Sequence, residues 1–328
     1  TIAGEHKTFT DIIKSTRGRN ADYSAYQQLT DWLQGRSGSD GNKILKNLAT
    51  AFVSTTAIDP VAGNPNSLMA DFVNANFAIN QGLILKGDTR GLDIFSIQPQ
   101  YNNTTLDNPA GNAGITANEK QQRVLHTILY AHYFNQDNAL TINLPAAYTL
   151  TQDASSYNAA IGVSFSHVFK RSQHLVWALT PQAQTGANVS IDLGSGTIAY
   201  SAGLGSRVVY HQQRISYGLT DTLEYLKTVA VKIGKVETPY DIHNIATENG
   251  IDIAYTLNPH YSVQAAFSRF DIINGSKWYI PSYNSVGISI AKHSTYQDAR
   301  YHQIGLGTQF VFGPQHYKAF EVNLNITF

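Results

Sequence analysis

The final stretch of the chain, from His316 to Phe328, reads HYKAFEVNLNITF. A strict period of two runs through it, which predicts a strand with one apolar face and one polar face. Lipid-facing and lumen-facing residues alternate in this way in a strand that closes a transmembrane β-barrel. The last strand of a soluble β-sandwich would show the same pattern. The rest of the sequence is therefore needed to distinguish a transmembrane barrel from a soluble sandwich. The apolar positions are Phe320, Val322, Leu324, Ile326 and Phe328, and the polar positions are Glu321, Asn323, Asn325 and Thr327.

The end of this strand carries a second signal. Leu324, Ile326 and Phe328, a terminal aromatic residue preceded by apolar residues at alternate positions, resemble the C-terminal assembly signal of bacterial outer-membrane proteins. This resemblance implies outer-membrane lipid and the barrel-assembly machinery as partners. It also implies the bacterial outer membrane as the location.

The composition favours a membrane barrel over a soluble domain. Only 14% of the 328 residues are charged, whereas about 25% is usual in soluble domains. No run approaches the roughly 18 consecutive apolar residues of a membrane-spanning helix. The 23 basic and 23 acidic residues balance, which argues against nucleic-acid binding, and the lack of cysteine excludes disulfides and thiolate chemistry. Because the chain starts at Thr1 without a signal peptide, we expect a processed or shortened chain.

Residues 1–58 differ from the rest and predict a small helical unit. Apolar residues recur at helical spacing in two segments on either side of a glycine-containing joint. Such short, half-polar helices are marginal alone, so we expect them to form a plug inside the barrel; a periplasmic helical appendage is the alternative. The plug packing residues are Tyr26, Leu29, Leu33, Ile44, Leu48 and Phe52, the hinge residues are Gly35, Gly38 and Gly41, and the basic residues that would pair with lumen carboxylates are Lys14, Arg17 and Arg19.

Residues 59–90 are interpreted as a linker into the barrel. Asp59-Pro60 and Asn64-Pro65 are turn signals. A further helix is compatible with Ser67 to Asn74, and no structure is assigned from Phe77 to Lys86.

Residues 91–328 predict strands and turns only. Short turns are expected near 135–138, 170–174, 219–222, 258–260 and 294–299, and longer connections near 105–119, 189–196, 236–245 and 274–281. Short turns on one rim and longer loops on the other are typical of outer-membrane barrels. Five short turns, with both termini on the same rim, require twelve strands. The predicted fold is therefore an all-β, antiparallel transmembrane barrel of about twelve strands with an N-terminal α-helical plug.

The predicted inward face is wet, nearly neutral and rich in amides and hydroxyls. Selection of anions or cations would call for rings of one charge sign, which this face does not offer. The H-x-S-N-G stretch of outer-membrane phospholipases does not occur, and the histidines lack the spacing of a metal site, so we expect neither an enzyme nor a cofactor. The lumen residues are Glu224, Lys232, Asp252, Glu321, Asn323 and Asn325.

With helices first, twelve strands after them and a terminal Phe328, the chain resembles the FapF family, the outer-membrane transporters of the functional-amyloid system of pseudomonads. The resemblance covers a helical segment from about Phe9 to Val53 and a barrel from about Gly91 to Phe328; the family's N-terminal coiled coil has no counterpart in residues 1–58. It implies a homotrimer that exports unfolded amyloid subunits to the cell surface for biofilm fibrils. On this interpretation the plug closes the lumen at rest. Two alternatives stay open: a passive channel for small hydrophobic or aromatic solutes, and a purely structural barrel.

Overall fold

The computed structural model describes residues 53–55, 57, 59–83, 89–107, 118–151, 154–190, 195–229, 232–233, 236–237, 240–294 and 302–328. The predicted plug packing residues, hinge glycines and plug charges, all between residues 14 and 52, lie outside these ranges.

Twelve antiparallel strands form a closed barrel, as predicted. The barrel strands are β1 (Leu92–Asp107), β2 (Asn118–Tyr133), β3 (Asn138–Thr151), β4 (Ala154–Arg171), β5 (Leu175–Ser190), β6 (Ser195–Gln212) and β7 (Ile215–Val229), followed by β10 (His243–Asn258), β11 (Tyr261–Gly275), β12 (Ser282–His293), β13 (Gln303–Phe312) and β14 (Lys318–Thr327). A short hairpin of β8 (Lys232–Ile233) and β9 (Val236–Glu237) interrupts the series between β7 and β10. The first and last barrel strands pair with each other, from Ser96 opposite Thr327 to Thr105 opposite Lys318, and so close the wall.

The strands alternate apolar outward and polar inward residues. In β4, Tyr157, Ile161 and Val163 are exposed while Asn158 and Ser164 are buried. Since a strand presents alternate residues to opposite faces, this arrangement gives an apolar belt outside and a polar lumen inside. No helix in the described part of the chain is long and apolar enough to span a membrane.

Connections at one rim are shorter on average than those at the other, with 294–302 and 152–153 as the exceptions. The turn rim holds both ends of the barrel and the connections 134–137, 172–174, 213–214, 259–260 and 294–302, and the loop rim holds 108–117, 152–153, 191–194, 230–242, 276–281 and 313–317. The turn predicted at 219–222 is wrong, because those residues lie inside β7 and the chain turns at Gln213 and Arg214. Gln213 has a φ of 51°, so a non-glycine residue adopts the left-handed conformation there.

The segment interpreted as a linker contains a helix, α1 (Leu68–Gln81). It extends beyond the Ser67 to Asn74 region that sequence analysis considered, and Leu68, Met69, Phe72 and Val73 are buried in it. Its first backbone N–H groups are satisfied by the preceding turn, since Leu68 N donates to Pro60 O at 2.9 Å and Met69 N to Val61 O at 3.0 Å. The plug of the described structure is therefore residues 53–83, downstream of most of the helices predicted from the sequence.

Candidate functional site

Helix α1 lies in the lumen and contacts the inner faces of β3, β5, β6, β7 and β10. Its side chains also reach the opposite wall, where Asp71 meets Arg123 on β2 and Asn74 accepts a 2.8 Å hydrogen bond from the Tyr283 hydroxyl on β12. Contacts with strands on opposite sides of the wall place the helix inside the barrel. The wall makes room for it at Gly205, where an added Cβ would overlap the Asn80 side chain.

The plug is anchored at the loop rim by an apolar cluster. Val53, Val61 and Ala62 of the plug pack in one buried core with residues of the rim loops, including Ile280 and Tyr317. Backbone bonds reinforce this packing, because Tyr279 N donates to Val53 O at 3.1 Å and Ile280 N to Gly63 O at 2.9 Å. Gly63 has a φ of +93°, and a Cβ there would collide with the Val53 carbonyl, so this turn requires glycine.

Asp59 organises the same end of the plug. Its Oδ1 accepts from Val61 N at 2.9 Å and Ala62 N at 3.0 Å, and its Oδ2 accepts from the Tyr240 hydroxyl at 2.9 Å. The carboxyl therefore joins the plug turn to the loop between β7 and β10. Burial raises the pKa of Asp59 to about 6, even though the three hydrogen bonds act to lower it.

Within the lumen, a buried ion pair joins the helix to the wall. Asp71 on α1 and Arg123 on β2 are 6% and 4% exposed. Asn158 on β4 donates a further bond of 3.2 Å to Asp71 Oδ2. A second buried pair, Arg207 with Asp252, has similarly low exposure, 6% and 3%, but joins two wall strands without involving the plug.

The carboxamide of Asn76 is held by the wall on both of its polar atoms. Gln184 Nε2 donates to Asn76 Oδ1 at 2.6 Å, and Asn76 Nδ2 donates to Glu224 Oε1. Gln184 Nε2 also donates to the Phe72 carbonyl at 2.9 Å. Glu224 is kept in place by Gln182, whose Nε2 donates to the same Oε1 at 2.5 Å.

Asn66, nearer the loop rim, is held in the same manner by β1 and β2. Its Oδ1 accepts from Asn102 Nδ2 at 3.1 Å, and its Nδ2 donates to Thr104 Oγ1 at 3.1 Å and to Gln121 Oε1 at 2.8 Å. Asn102 is oriented in turn by Glu321, which accepts a 2.8 Å bond from it. Amide side chains of the plug thus meet amides, hydroxyls and carboxylates of the wall.

The residues predicted for the lumen have different positions in the structure. Glu224 contacts the plug, Asp252 pairs with Arg207, and Glu321 accepts from Gln100 and Asn102. Asn323 and Asn325 lie on the inward register of β14, Asn323 beside Gly307. Lys232 is a correction, because it belongs to the β8–β9 hairpin and not to a barrel strand.

The residues of the predicted assembly signal lie at the end of β14, on its outward register. Leu324 pairs with the exposed Leu306 and Ile326 with Ile304. Phe328 N donates to Phe95 O at 2.8 Å, and the two rings lie 6.2 Å apart. The terminal residue thus helps to close the seam between β1 and β14.

Sequence analysis missed the residues that join plug and wall. Asp71, Asn66 and Asn76 lie in the segment interpreted as a linker, and Gln182 and Gln184 were recognised only as part of a generally polar face. One available signal was the recurrence of Asn64, Asn66, Asn74, Asn76 and Asn80 in a short segment that also carries helix-forming residues.

Comparison with known proteins identifies the fold. Neither a protein-family model nor a curated protein sequence matches the chain. Among solved structures, the translocator domain of the autotransporter NalP from Neisseria meningitidis is similar over 79% of this chain and 95% of its own, with 11% identity and a TM-score of 0.52. An outer-membrane channel from Pseudomonas putida F1 matches 73% of this chain and 95% of its own, with 10% identity and a TM-score of 0.50. The β domain of the Bordetella autotransporter BrkA matches 71% and 98%, with 9% identity and a TM-score of 0.50.

The closed barrel, its apolar belt and these likenesses define the class: an outer-membrane β-barrel with the architecture of translocators and channels. The similar structures named above are a translocator domain, an outer-membrane channel and the β domain of an autotransporter.

Proposed function

We propose that the protein is a gated outer-membrane transporter that exports unfolded polypeptide, with its lumen closed at rest by residues 53–83. The observation that carries the proposal is the chemistry of the plug–wall contact. Within the lumen, Asp71 and Asn76 of α1 bond to charged and amide groups of the wall, beside buried apolar side chains such as Phe72. Because water replaces such contacts at modest net cost, this helix is suited to leave the lumen and return.

The plug–wall contact also leaves polar groups unsatisfied. Among the described residues, Asn80 Oδ1 and Arg123 Nε are buried without a hydrogen-bond partner. A buried unpaired polar atom costs free energy that hydration of an open lumen would return. This favours a closed state that is stable enough to seal the barrel but not permanently locked.

The substrate that we propose is an unfolded subunit of functional amyloid, exported for fibrils at the cell surface. Two considerations support it: the resemblance to the FapF family, and a wall rich in amide side chains such as Asn143, Gln182, Gln184 and Asn188. A translocator domain and an outer-membrane channel share the fold, in agreement with passage through the barrel.

A cysteine pair provides the test, since the native chain has no cysteine. Replacing Gly205 and Asn80 by cysteine joins two positions whose side chains would overlap, within reach of a disulfide. We expect no current through the oxidised protein in a planar bilayer and intermittent openings after reduction, with Asn80→Cys alone as the control. An unfolded, amide-rich polypeptide added at the turn rim should then interrupt the current. Equal currents in both redox states would refute gating by this plug, and an uninterrupted current would favour the small-solute channel.

We propose further that the barrel assembles as a homotrimer. A row of outward-facing polar residues supports this, because they are register partners on successive strands of an otherwise apolar belt. Polar and charged groups on a lipid face are costly, and contact with another barrel would shield them. Cross-linking in native membranes, compared with the variant Asp221→Leu, tests the assignment; a monomer in both cases would refute it. The row consists of Ser206, Asp221, Asn249, Arg269 and Asn284.

A further inference from the structure

The hydrogen bonds of Asn66 and Asn76 carry a further inference, which rests on the proposed export function. We infer that the lumen wall contains two binding sites for carboxamide side chains of a polypeptide in transit, and that Asn66 and Asn76 of the plug occupy these sites as internal competitors. The plug is then a pseudosubstrate, and not only an obstacle.

The wall groups around Asn76 complement a carboxamide side chain. A carboxamide has a carbonyl oxygen that accepts and an amino group that donates. The wall offers the complement, a donor from Gln184 Nε2, 2.6 Å from Asn76 Oδ1, and an acceptor in Glu224 Oε1. A carboxylate ligand would lack the donor for Glu224, and an ammonium ligand would lack the acceptor for Gln184. The site therefore distinguishes an amide from either charged group.

The Asn66 site also offers a donor and an acceptor for a carboxamide, supplied by different residues. Asn102 Nδ2 donates to the plug carboxamide, while Thr104 Oγ1 and Gln121 Oε1 accept from it. Two separate parts of the wall, on β1–β2 and on β5–β7, thus present a matched donor and acceptor to an asparagine side chain. Chance polar packing would not require both atoms to be paired at both places.

Most of these wall groups also make bonds that do not involve the plug. Asn143 Nδ2 donates to Gln184 Oε1 at 3.3 Å, and Gln121, which donates to the plug residue Ala57, is the exception. Gln182 donates to Glu224 at 2.5 Å, and Thr104 donates to Asn102 Oδ1 at 2.8 Å. Asn102 also donates to Glu321 at 2.8 Å. The sites therefore persist when the plug withdraws, and other carboxamide side chains can enter them.

The spacing of the sites gives the inferred ligand a length scale. Asn76 lies eight residues after Leu68, the first residue of α1, about 12 Å along the helix at about 1.5 Å per residue. The two non-helical steps back to Asn66 bring the separation to roughly 15 Å, at up to about 3.3 Å each. An extended chain covers that distance in about four or five residues, at about 3.3 Å each. The inferred ligand is therefore an extended segment with asparagine or glutamine recurring at about this interval.

The experiment measures current blockades of the complete protein in a planar bilayer. The probe is an unfolded glycine- and serine-based peptide with asparagine at every fifth position, and its control has serine in place of each asparagine. We expect the asparagine peptide to block roughly fivefold longer, the effect of about one net hydrogen bond. Equal block durations of the two peptides would overturn the carboxamide sites while leaving export in place. Absence of any blockade by either peptide would overturn the proposed function and the inference with it.

Two variants distinguish the contribution of the wall to the blockades from that of the plug. Gln184→Leu should raise the open fraction and also shorten the blockades by the asparagine peptide roughly fivefold. Asn76→Leu should raise the open fraction without altering the blockades, because it changes only the competitor. Gln264→Leu, on the wall beside Asp252, is the matched control and should change neither. An unchanged blockade in Gln184→Leu would refute the inference; if that variant does not fold, the peptide comparison on the unaltered protein decides alone.

Discussion

Loss of the buried ion pair between plug and wall should open the barrel. Asp71→Asn keeps the shape of the side chain and removes its charge, so Arg123, 4% exposed, loses its ion-pair partner in the closed state. In the open state the same guanidinium faces water in the lumen. The penalty of the substitution therefore falls on the closed state.

The penalty on the closed state sets the size of the expected rise in the ratio of open to closed channels. Removing one partner of a buried ion pair costs about 3–5 kcal/mol, and we take the lower end because the new amide oxygen still accepts a bond from Arg123. About 3 kcal/mol corresponds to a factor of roughly 100 in the ratio of open to closed channels. The double variant with Arg123→Gln should recover most of this, since no unpaired charge remains buried.

Single-channel recording in planar bilayers measures that ratio directly. The matched control is Asp252→Asn, because Asp252 and Arg207 form a pair of similar burial, 3% and 6% exposed, within the wall itself. Its loss affects the open and closed states alike, so the open-to-closed ratio should stay near that of the native protein. An Asp71→Asn ratio close to native, or an equal rise in Asp252→Asn, would refute the reasoning.

Three further changes test other parts of the molecule. Gly205→Ala should displace the plug and raise the open fraction, whereas Gly305→Ala, where an added Cβ meets only ordinary contacts at 3.8 Å, should not; equal behaviour in bilayer recordings would contradict the close approach. Because burial raises the pKa of Asp59 from 3.8 to about 6, the docked plug holds the proton more tightly than the free plug. Docking should therefore weaken as pH rises through this window and stay constant above it. In Asp59→Asn the open fraction should no longer depend on pH in this window. If the open fraction of the variant still changes with pH, other titratable groups cause the dependence. Phe328→Ala should lower the yield of folded, heat-modifiable barrel on gels more than Phe320→Ala, an exposed position of the same strand; equal yields would deny the terminal residue a special role in assembly.

The barrel was predictable because its signal is local and repeated. The alternation of apolar and polar residues, as in Tyr157 to Ser166, follows from a wall that separates lipid from water. Each strand can therefore be recognised in the sequence on its own. The turn between β6 and β7 was missed for an equally local reason. The turn was predicted at 219–222, directly after Gly218, yet Gly218 lies in β7 where the side chains of Arg207 and Asp252 meet and leave no room for a Cβ. The true turn, at Gln213 and Arg214, has no residue of the usual turn types.

The plug helix was harder to predict because the barrel inverts the usual relation between burial and polarity. Periodicity analysis searches for apolar residues on the buried face of a helix. In α1 apolar side chains are buried along the helix, from Leu68 and Phe72 in the apolar cluster to Phe77 and Ile79 near its end. Asn76 and Asn80 are also almost fully buried, since the wall they meet is polar.

A helix inside a polar barrel is therefore best recognised by polar residues at helical spacing. Asn76 and Asn80 are four residues apart, so they share one face of α1, and Gln182 and Gln184 on β5 alternate with outward residues so that both point at that face. A helix without asparagine or aspartate would leave polar groups of this wall unpaired. The polarity that hides α1 from periodicity analysis is what allows its lumen contacts to be exchanged for water, or for the side chains of another polypeptide.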